Sequence, residues 1–238
     1  MNMQWEAAWQ AVIHHPLFGV AITLAAFQLS YAAYEKTRWV FLQPVLVSML
    51  MVVGVLLACG LGYEDYRLSA QMLTVMLGPA TVALAVPLYL NLRRIRELFG
   101  PIMITLLVGG ITATALGMAL AWAFGADRMV LMTLAPKSVT SPIAMLVAEQ
   151  IGGVVALAAV FVMITGILGA IFGPELLRRF GVQHPAARGM ALGLTAHAVG
   201  TAQALQESEE CGAFAALAMS LMGVLTAVLL PLAVSLSL

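Results

Sequence analysis

One lysine stands alone in an apolar stretch near the middle of the chain. Lys137 follows Pro136 and is the only basic residue within 129–148. An unpaired lysine at the centre of a membrane helix costs about 2.5 to 3.5 kcal/mol, so its ammonium should face a cavity or a partner. Together with hydroxyls and the free N–H groups at the end of a half-helix, an ammonium can bind a carboxylate. The predicted carboxylate-binding side chains are those of Lys137, Ser138, Thr140 and Ser141.

A structural role for the same lysine is the alternative interpretation. Its aliphatic stem can lie along apolar surface while the ammonium reaches the interface, or the ammonium can pair with Glu149. We favour binding because Pro136 and Pro142 interrupt regular helix at this point and leave backbone groups free.

A second candidate is His197, within the sequence HAVGT. A histidine inside a membrane can be a structural residue, a member of a proton relay or a hydrogen-bonding group for a solute. Gly200 and Thr201 follow it, and a glycine beside a hydroxyl allows close approach of the backbone. No second ligand stands at a metal-binding spacing from His197, so no metal site is predicted. Glu149 and Glu209 are candidates for proton coupling, although solvated carboxylates near helix N-termini are the simpler interpretation.

The composition decides in which medium these residues work. Of the 238 residues, 62% are hydrophobic and only 9% are charged, whereas soluble chains carry about 25% charged residues. The net charge is zero, which removes the basic excess typical of nucleic-acid binders. The sequence has no phosphate-binding or dinucleotide-binding motif and no nucleophile–base pair, so it predicts neither an enzyme nor a cofactor. It predicts an all-α integral membrane protein in contact with the lipid bilayer.

The apolar stretches predict about six membrane spans, since each crossing takes roughly 20 residues. Two further stretches, 129–148 and 189–206, contain prolines, glycines or charges and predict re-entrant hairpins or broken helices. Before the first span, Trp5, Trp9 and Ile13 recur every four residues and predict an amphipathic helix over 1–16 that lies in the interface. The predicted spans are 17–34, 39–61, 68–92, 99–124, 151–174 and 211–236.

The distribution of basic residues favours re-entry over crossing for the stretch 129–148. With re-entry, eight basic loop residues lie on the cytoplasmic side and two lie outside. A full crossing would instead move Arg178, Arg179 and Arg188 outside and erase this bias. Two half-helices of about ten residues each reach roughly 15 Å, about half of the hydrocarbon core. This topology predicts that the N-terminus lies outside.

An internal repeat relates the two irregular stretches. A shift of 60 residues aligns the segment that starts at Leu134 with the one that starts at Leu194, and sets His197 opposite Lys137. Each unit is then one hairpin plus one spanning helix, an odd number of crossings that inverts the second copy, as in secondary transporters. The predicted parts are the interfacial helix 1–16, a four-helix part over 17–128, and a core over 129–238 with repeats at 129–174 and 189–236.

Three segments of the second half resemble the LrgB family, also called CidB/LrgB. They are APKSVTSPIAM at Ala135–Met145, EQIGG at Glu149–Gly153 and HPAARGMALGLTAHAVGTAQALQESEECGAFAALAM at His184–Met219. Bacterial members are described as modulators of murein hydrolase activity and autolysis that work with a small LrgA/CidA-type membrane protein. The related plastidic glycolate/glycerate translocator moves 2-hydroxy acids, and bacterial relatives have been linked to pyruvate.

The resemblance implies a location in the bacterial inner membrane and carries site residues over by motif position. The family commonly reads HAxGTAR, whereas Gln203 replaces the arginine in this chain, which puts its affinity for an anion in doubt. The residues carried over are Lys137, Ser138, Thr140, Ser141, His197, Gly200 and Thr201, with Gln203 at the variant position.

Residues and resemblance together predict a secondary transporter of small organic anions that forms a homodimer. Its substrates would be 2-hydroxy or 2-keto monocarboxylates such as glycolate, glycerate, lactate or pyruvate. The alternative is a holin-like or antiholin-like modulator of murein hydrolase activity and autolysis, which acts by assembly with an LrgA/CidA-type partner and needs no solute.

Overall fold

Helices alone build the described part of the chain, which in this computed structural model covers residues 2–37, 39 and 42–236. The side chains of residues 2–7 and 81 lie outside that description. The chain divides into two compact units, Met1–Ala83 and Leu84–Leu238. The predicted division into an interfacial helix over 1–16, a four-helix part over 17–128 and a core over 129–238 stays a prediction.

The first unit consists of α1 (Asn2–Ile13), α2 (Phe18–Thr37), α3 (Pro44–Cys59), α4 (Tyr63–Ser69) and α5 (Gln71–Ala83). Helix α2 packs against α3 and α4. The hydroxyls of Thr23 and Tyr66 lie 2.9 Å apart, and the Gly19 N–H donates to Ser69 Oγ at 3.1 Å. These bonds satisfy polar groups that would otherwise be buried unpaired between α2 and α4.

The interfacial helix predicted for 1–16 corresponds to α1, but the residues of its apolar stripe differ in their exposure. Trp9 is 52% exposed, as an interfacial tryptophan should be, whereas Ile13 is 4% exposed and packs inside the protein. The side chain of Trp5 lies outside the described residues. Including Ile13 in a membrane-facing stripe was therefore wrong, because this side chain is buried within the protein.

The second unit begins with three short helices and ends with three long ones. Helices α12, α13 and α14 pack together at its centre, and α11 packs on both α12 and α14. Val162, Ala144 and Phe214 are completely buried in this core. The elements are α6 (Ala85–Leu90), α7 (Leu92–Glu97), α8 (Phe99–Ile104), a π-helical turn (Thr105–Gly109), α9 (Gly110–Ala123), α10 (Arg128–Leu134), α11 (Ser141–Gln150), α12 (Val155–Arg179), α13 (Pro185–Glu207) and α14 (Glu209–Leu236).

Four helical segments among the described residues are long and apolar enough to cross a membrane: Gln71–Leu90, Phe99–Ala123, Val155–Arg179 and Glu209–Leu236. A fifth arises if Pro44–Cys59 and Tyr63–Ser69, which are bent by 115°, count as one span. The chain is thus a multi-pass membrane protein. Its helices expose large apolar side chains, such as Phe124 at 90%, which in a bilayer are in contact with lipid.

Two of the six predicted spans differ from expectation. The stretch 17–34 does form the 20-residue helix α2, but polar residues such as Gln28 and Glu35 make this helix less apolar than a membrane-spanning helix. The stretch 39–61 yields a regular helix of only 16 residues, which ends at Gly60 with φ 68°. Six spans are therefore not confirmed, because the polar residues and the glycine turn shorten the apolar helices.

Candidate functional site

The stretch 129–148 folds as two short helices separated by a turn. Helix α10 ends at Leu134, residues 135–140 turn, and α11 begins at Ser141. After α11 the chain returns to α10, because the Val154 N–H donates to Thr133 Oγ1 at 2.8 Å. We name α10, the turn and α11 the first hairpin. Its turn carries Lys137.

Lys137 is held by neutral oxygen atoms. Its Nζ donates to the Ala113 carbonyl and to Ser138 Oγ, each at 3.3 Å. Gly117 of α9 provides the space for its stem, since a Cβ there would lie 2.7 Å from Lys137 Cε. Lys137 makes no ion pair within the described residues, and Glu149 is exposed, so the pairing of these two residues is not observed. No acidic side chain within the described residues therefore neutralises this ammonium.

The hydroxyl-bearing residues beside Lys137 surround the start of α11. Ser138 is 4% exposed and bonded to the ammonium. Thr140 is the N-cap residue of α11 but makes no side-chain capping bond, and Ser141 is the first helical residue. The first-turn N–H groups of α11 therefore have no side-chain acceptor.

The stretch 189–206 lies within α13, which is broken in the middle. His197 has φ 42° and ψ −127°, and it is the only non-glycine residue with positive φ in the described part of the chain. The two ends of α13 meet, because Arg188 donates to both oxygens of Glu207 at 2.7 and 2.9 Å. We name α13 the second hairpin; His197 is its tip.

His197 is 5% exposed and fixed at three points. Its Nε2 lies 2.9 Å from the Val162 carbonyl, which can only accept, so Nε2 carries a proton and donates. The Thr201 hydroxyl donates to the His197 carbonyl at 2.8 Å. Gly166 leaves space for the ring, since a Cβ there would lie 2.6 Å from its Cε1. The ring nitrogen without a described partner is Nδ1.

The strained backbone of His197 allows a test of its role. We expect His197→Gly to be more stable than His197→Ala by about 1 kcal/mol, because only glycine adopts this backbone without strain. Both variants lose the ring, so the difference isolates the backbone. Inside a regular helix the order is reversed, since glycine is about 1 kcal/mol worse than alanine.

The exposed helical residue Thr195 is the control for that comparison, and Thr195→Ala should be more stable than Thr195→Gly. Thermal unfolding of the purified protein in detergent measures both pairs. If His197→Ala proves the more stable of its pair, the tip does not hold the strained conformation.

The structure holds the two groups of predicted site residues on different helices. Lys137 contacts α9, whereas His197 contacts α12, and no described hydrogen bond joins them. Both hairpins contribute side chains to one core cluster, Val139 from the first and Leu194 from the second. Neither stretch is a straight rod.

The remaining predicted site residues make no described contact with the side chains of Lys137 or His197. Gly200 lies against the Leu192 carbonyl, so its close approach is to the other half of the same hairpin. Gln203 is half-buried and has no described hydrogen bond. Glu149 and Glu209 are both exposed. Within the described residues, no three His, Cys, Asp or Glu side chains converge on a point where a metal could bind.

Sequence reasoning missed an ionic cluster at the open end of the second hairpin. Arg94 of α7 lies 3.1 Å from His184 Nε2 and 3.6 Å from Glu210 Oε1. That Glu210 oxygen is buried and makes no hydrogen bond, so the longer ion pair with Arg94 is its described polar contact. The only signal in the sequence is the acidic run at 207–210, which does not reveal a partner more than 100 residues away.

Glycines let the second hairpin pack closely on its two neighbours. Gly189 and Gly193 lie one helical turn apart and contact the backbone of Cys211 and Ala215 in α14. On the other side, a Cβ on Gly169 of α12 would lie 2.6 Å from Ala196 Cβ. Small residues spaced in this way allow close backbone contact between helices in membranes.

A separate apolar cleft of about 270 Å³ lies between α9 and α14. Thr114 and Thr226 are its hydroxyl-bearing residues, and the Thr226 hydroxyl is buried without a partner. None of the predicted site residues lines this cleft. The candidate site at the two tips and the cleft are therefore distinct features.

Comparison with known proteins identifies the family. The model of the LrgB-like family matches residues 23–236, which is most of the chain. The chain belongs to the LrgB family. Among relatives, the antiholin-like protein LrgB of Bacillus mycoides (strain KBAB4) is 30% identical over 91% of this chain and 95% of its own length. The uncharacterized proteins YxaC and YwbG of Bacillus subtilis (strain 168) are each 36% identical, over 90% and 86% of this chain and 94% and 91% of their own lengths.

No solved structure matches the chain. The matched region contains both tips, Lys137 and His197, and the variant position Gln203.

Proposed function

We propose that this LrgB-family protein acts as an antiholin-like membrane protein, which modulates autolysis by assembly with a small LrgA/CidA-type partner. Several relatives bear the name antiholin-like protein LrgB, which supports this function. Those relatives match over almost the whole chain, so the region responsible for their activity is present here. The comparisons favour this function over the transport function below.

Co-purification and lysis assays test the antiholin-like function. When the chain is co-expressed with an LrgA-type protein, we expect the two to purify together and the rate of autolysis to change. An unrelated small four-helix membrane protein is the control and should not be retained. Absence of both co-purification and any effect on lysis would contradict this function.

The geometry supports a second function, secondary transport of small organic anions. The observation that carries it is the Lys137 ammonium, which contacts only neutral oxygens beside an uncapped helix start. Lys137 and the first-turn N–H groups of α11 would bind a carboxylate, with Ser138 as an additional partner. His197 Nδ1 would face the 2-hydroxy or 2-keto oxygen. Thr140, Ser141, Gly200, Thr201 and Gln203 would shape the site.

The arrangement proposed for this transporter is an inverted repeat in the inner membrane. Each hairpin is followed by a long helix, the first by α12 and the second by α14, which fits units that enter from opposite sides. About six crossings, an external N-terminus and a homodimer complete the proposal. Protons would be exchanged at Glu149 or Glu209, both of which water can reach.

A ligand screen separates the two functions. A transporter gains stability when a substrate binds its folded state, about 2.7 kcal/mol at a hundred times Kd. We expect glycolate, glycerate, lactate or pyruvate to raise the melting temperature of the purified chain, whereas the neutral amides of these acids should not. If the chain co-purifies with a partner and no acid changes its melting temperature, only the antiholin-like function remains supported.

A further inference from the structure

A surface notch at the junction of α6 and α7 combines arginines with exposed apolar side chains. It has a volume of about 520 Å³ and we name it the arginine notch. Helix α7 is fixed beneath it by Ile95, which is 9% exposed and part of the core. The lining residues are Tyr89, Leu90, Leu92, Arg93, Arg96 and Glu97.

The arginine notch has one uncompensated positive charge. Arg93 is paired with Glu97 at 3.0 Å, and Arg94 turns away from the notch towards His184 and Glu210. Arg96 is exposed and makes no ion pair within the described residues. The net charge of the lining side chains is therefore one positive charge, which matches a monoanion rather than a dianion.

The apolar lining indicates a ligand that is itself amphipathic. Tyr89 is 77% exposed and Leu90 is 64% exposed, although both are large side chains with apolar surface. The notch includes Tyr89 and Leu90, the last residues of the candidate span Gln71–Leu90, and precedes the span Phe99–Ala123. It therefore lies where a membrane helix leaves the hydrocarbon core, at the depth of lipid headgroups and of interfacial tyrosines.

We propose that the arginine notch binds an anionic phospholipid with a phosphodiester headgroup. The single negative charge of the phosphodiester lies against Arg96 and Arg93, while Tyr89 and Leu90 contact the glycerol and the first part of the acyl chains. An isolated phosphate would use the arginines but not the apolar lining. Basic residues next to a membrane span attract anionic lipid in this way, at roughly 1 kcal/mol each.

Binding is measured on the full chain in detergent micelles doped with equal mole fractions of phosphatidylglycerol or phosphatidylcholine. We expect phosphatidylglycerol to raise the melting temperature and to remain bound in native mass spectrometry, whereas phosphatidylcholine does neither. Arg96→Gln should weaken phosphatidylglycerol binding about fivefold, the fold-change that corresponds to one basic residue near a lipid surface. Arg67→Gln is the control and should bind as the wild type, because Arg67 is exposed like Arg96 but does not line the notch and is paired with Glu64.

Three results would overturn the proposal. Equal stabilisation by both lipids would show that the notch does not recognise the negative charge of the headgroup. Unchanged binding in Arg96→Gln would place the lipid elsewhere. Saturation of the notch by soluble glycerophosphoglycerol, or equal competition by an acidic peptide, would show that the acyl chains contribute nothing. Each readout is independent of transport and of a protein partner, so it can fail or succeed whatever the function of the tips.

Discussion

Uptake of small carboxylates into proteoliposomes should fall about 100-fold when Lys137 is replaced by alanine, because the carboxylate loses a charge-assisted hydrogen bond. The structure gives no other ammonium to replace it, since Lys36 is the only other lysine in the sequence. The first-turn N–H groups of α11 remain in the variant and account for residual binding. The measurement is the initial rate of uptake against substrate concentration.

Lys36→Ala is the matched control for that experiment. It removes the same side chain from an exposed position at the end of α2, and it should transport like the wild type. Lys137→Arg keeps the charge but needs room beside Gly117, where the lysine stem already leaves no space for a Cβ. It should fold yet transport poorly. If Lys137→Ala transports normally, the carboxylate site is not at the tip of the first hairpin.

Gly193→Ala should destabilise the protein by about 3 kcal/mol or more, which is the upper end of the cost of overpacking a core. A Cβ on Gly193 would lie 2.7 Å from Ala215 Cα and closer still to the carbonyl oxygen of that residue. A backbone atom cannot rotate away as a side chain can. The second hairpin must therefore separate from α14, and the loss appears as a lower melting temperature in detergent.

Gly54→Ala provides the comparison, because it makes the same substitution inside helix α3 where no atom lies within 4 Å of the added Cβ. Alanine favours the helix by about 1 kcal/mol over glycine, so this variant should be as stable as the wild type or more stable. If both variants respond alike, the cost at Gly193 does not come from contact with α14.

The two irregular stretches could be predicted from the sequence because residues within each stretch mark the break. Pro136 and Pro142 bracket the turn of the first hairpin, and the basic residues after it favoured a return to the same side. The second stretch was predicted to be irregular from Gly193, Gly200 and His197, and it is broken at His197. A histidine with positive φ has no signature in the sequence, because the conformation is imposed by contacts with α12 and with Thr201.

The partners of the charged side chains were beyond local prediction. Lys137 donates to a main-chain carbonyl in α9, and every residue has such a group, so no residue type marks it. In the sequence Arg94 is only one of the basic loop residues predicted on the cytoplasmic side, and its contacts with His184 and Glu210 depend on how α7 packs against distant helices. The count of six spans is not confirmed for a different reason, since α2 carries polar residues and α3 is only 16 residues long.

The ion pair between Arg188 and Glu207 makes the second hairpin a single mechanical unit. A force applied to either end first loads this bidentate pair, which is partly shielded from water, before it reaches the tip at His197. Once the pair breaks, the two ends of this 23-residue element are held by their packing on α12 and α14. Under tension the hairpin therefore stays closed until the ion pair between Arg188 and Glu207 separates, and the break at His197 bears less of the load.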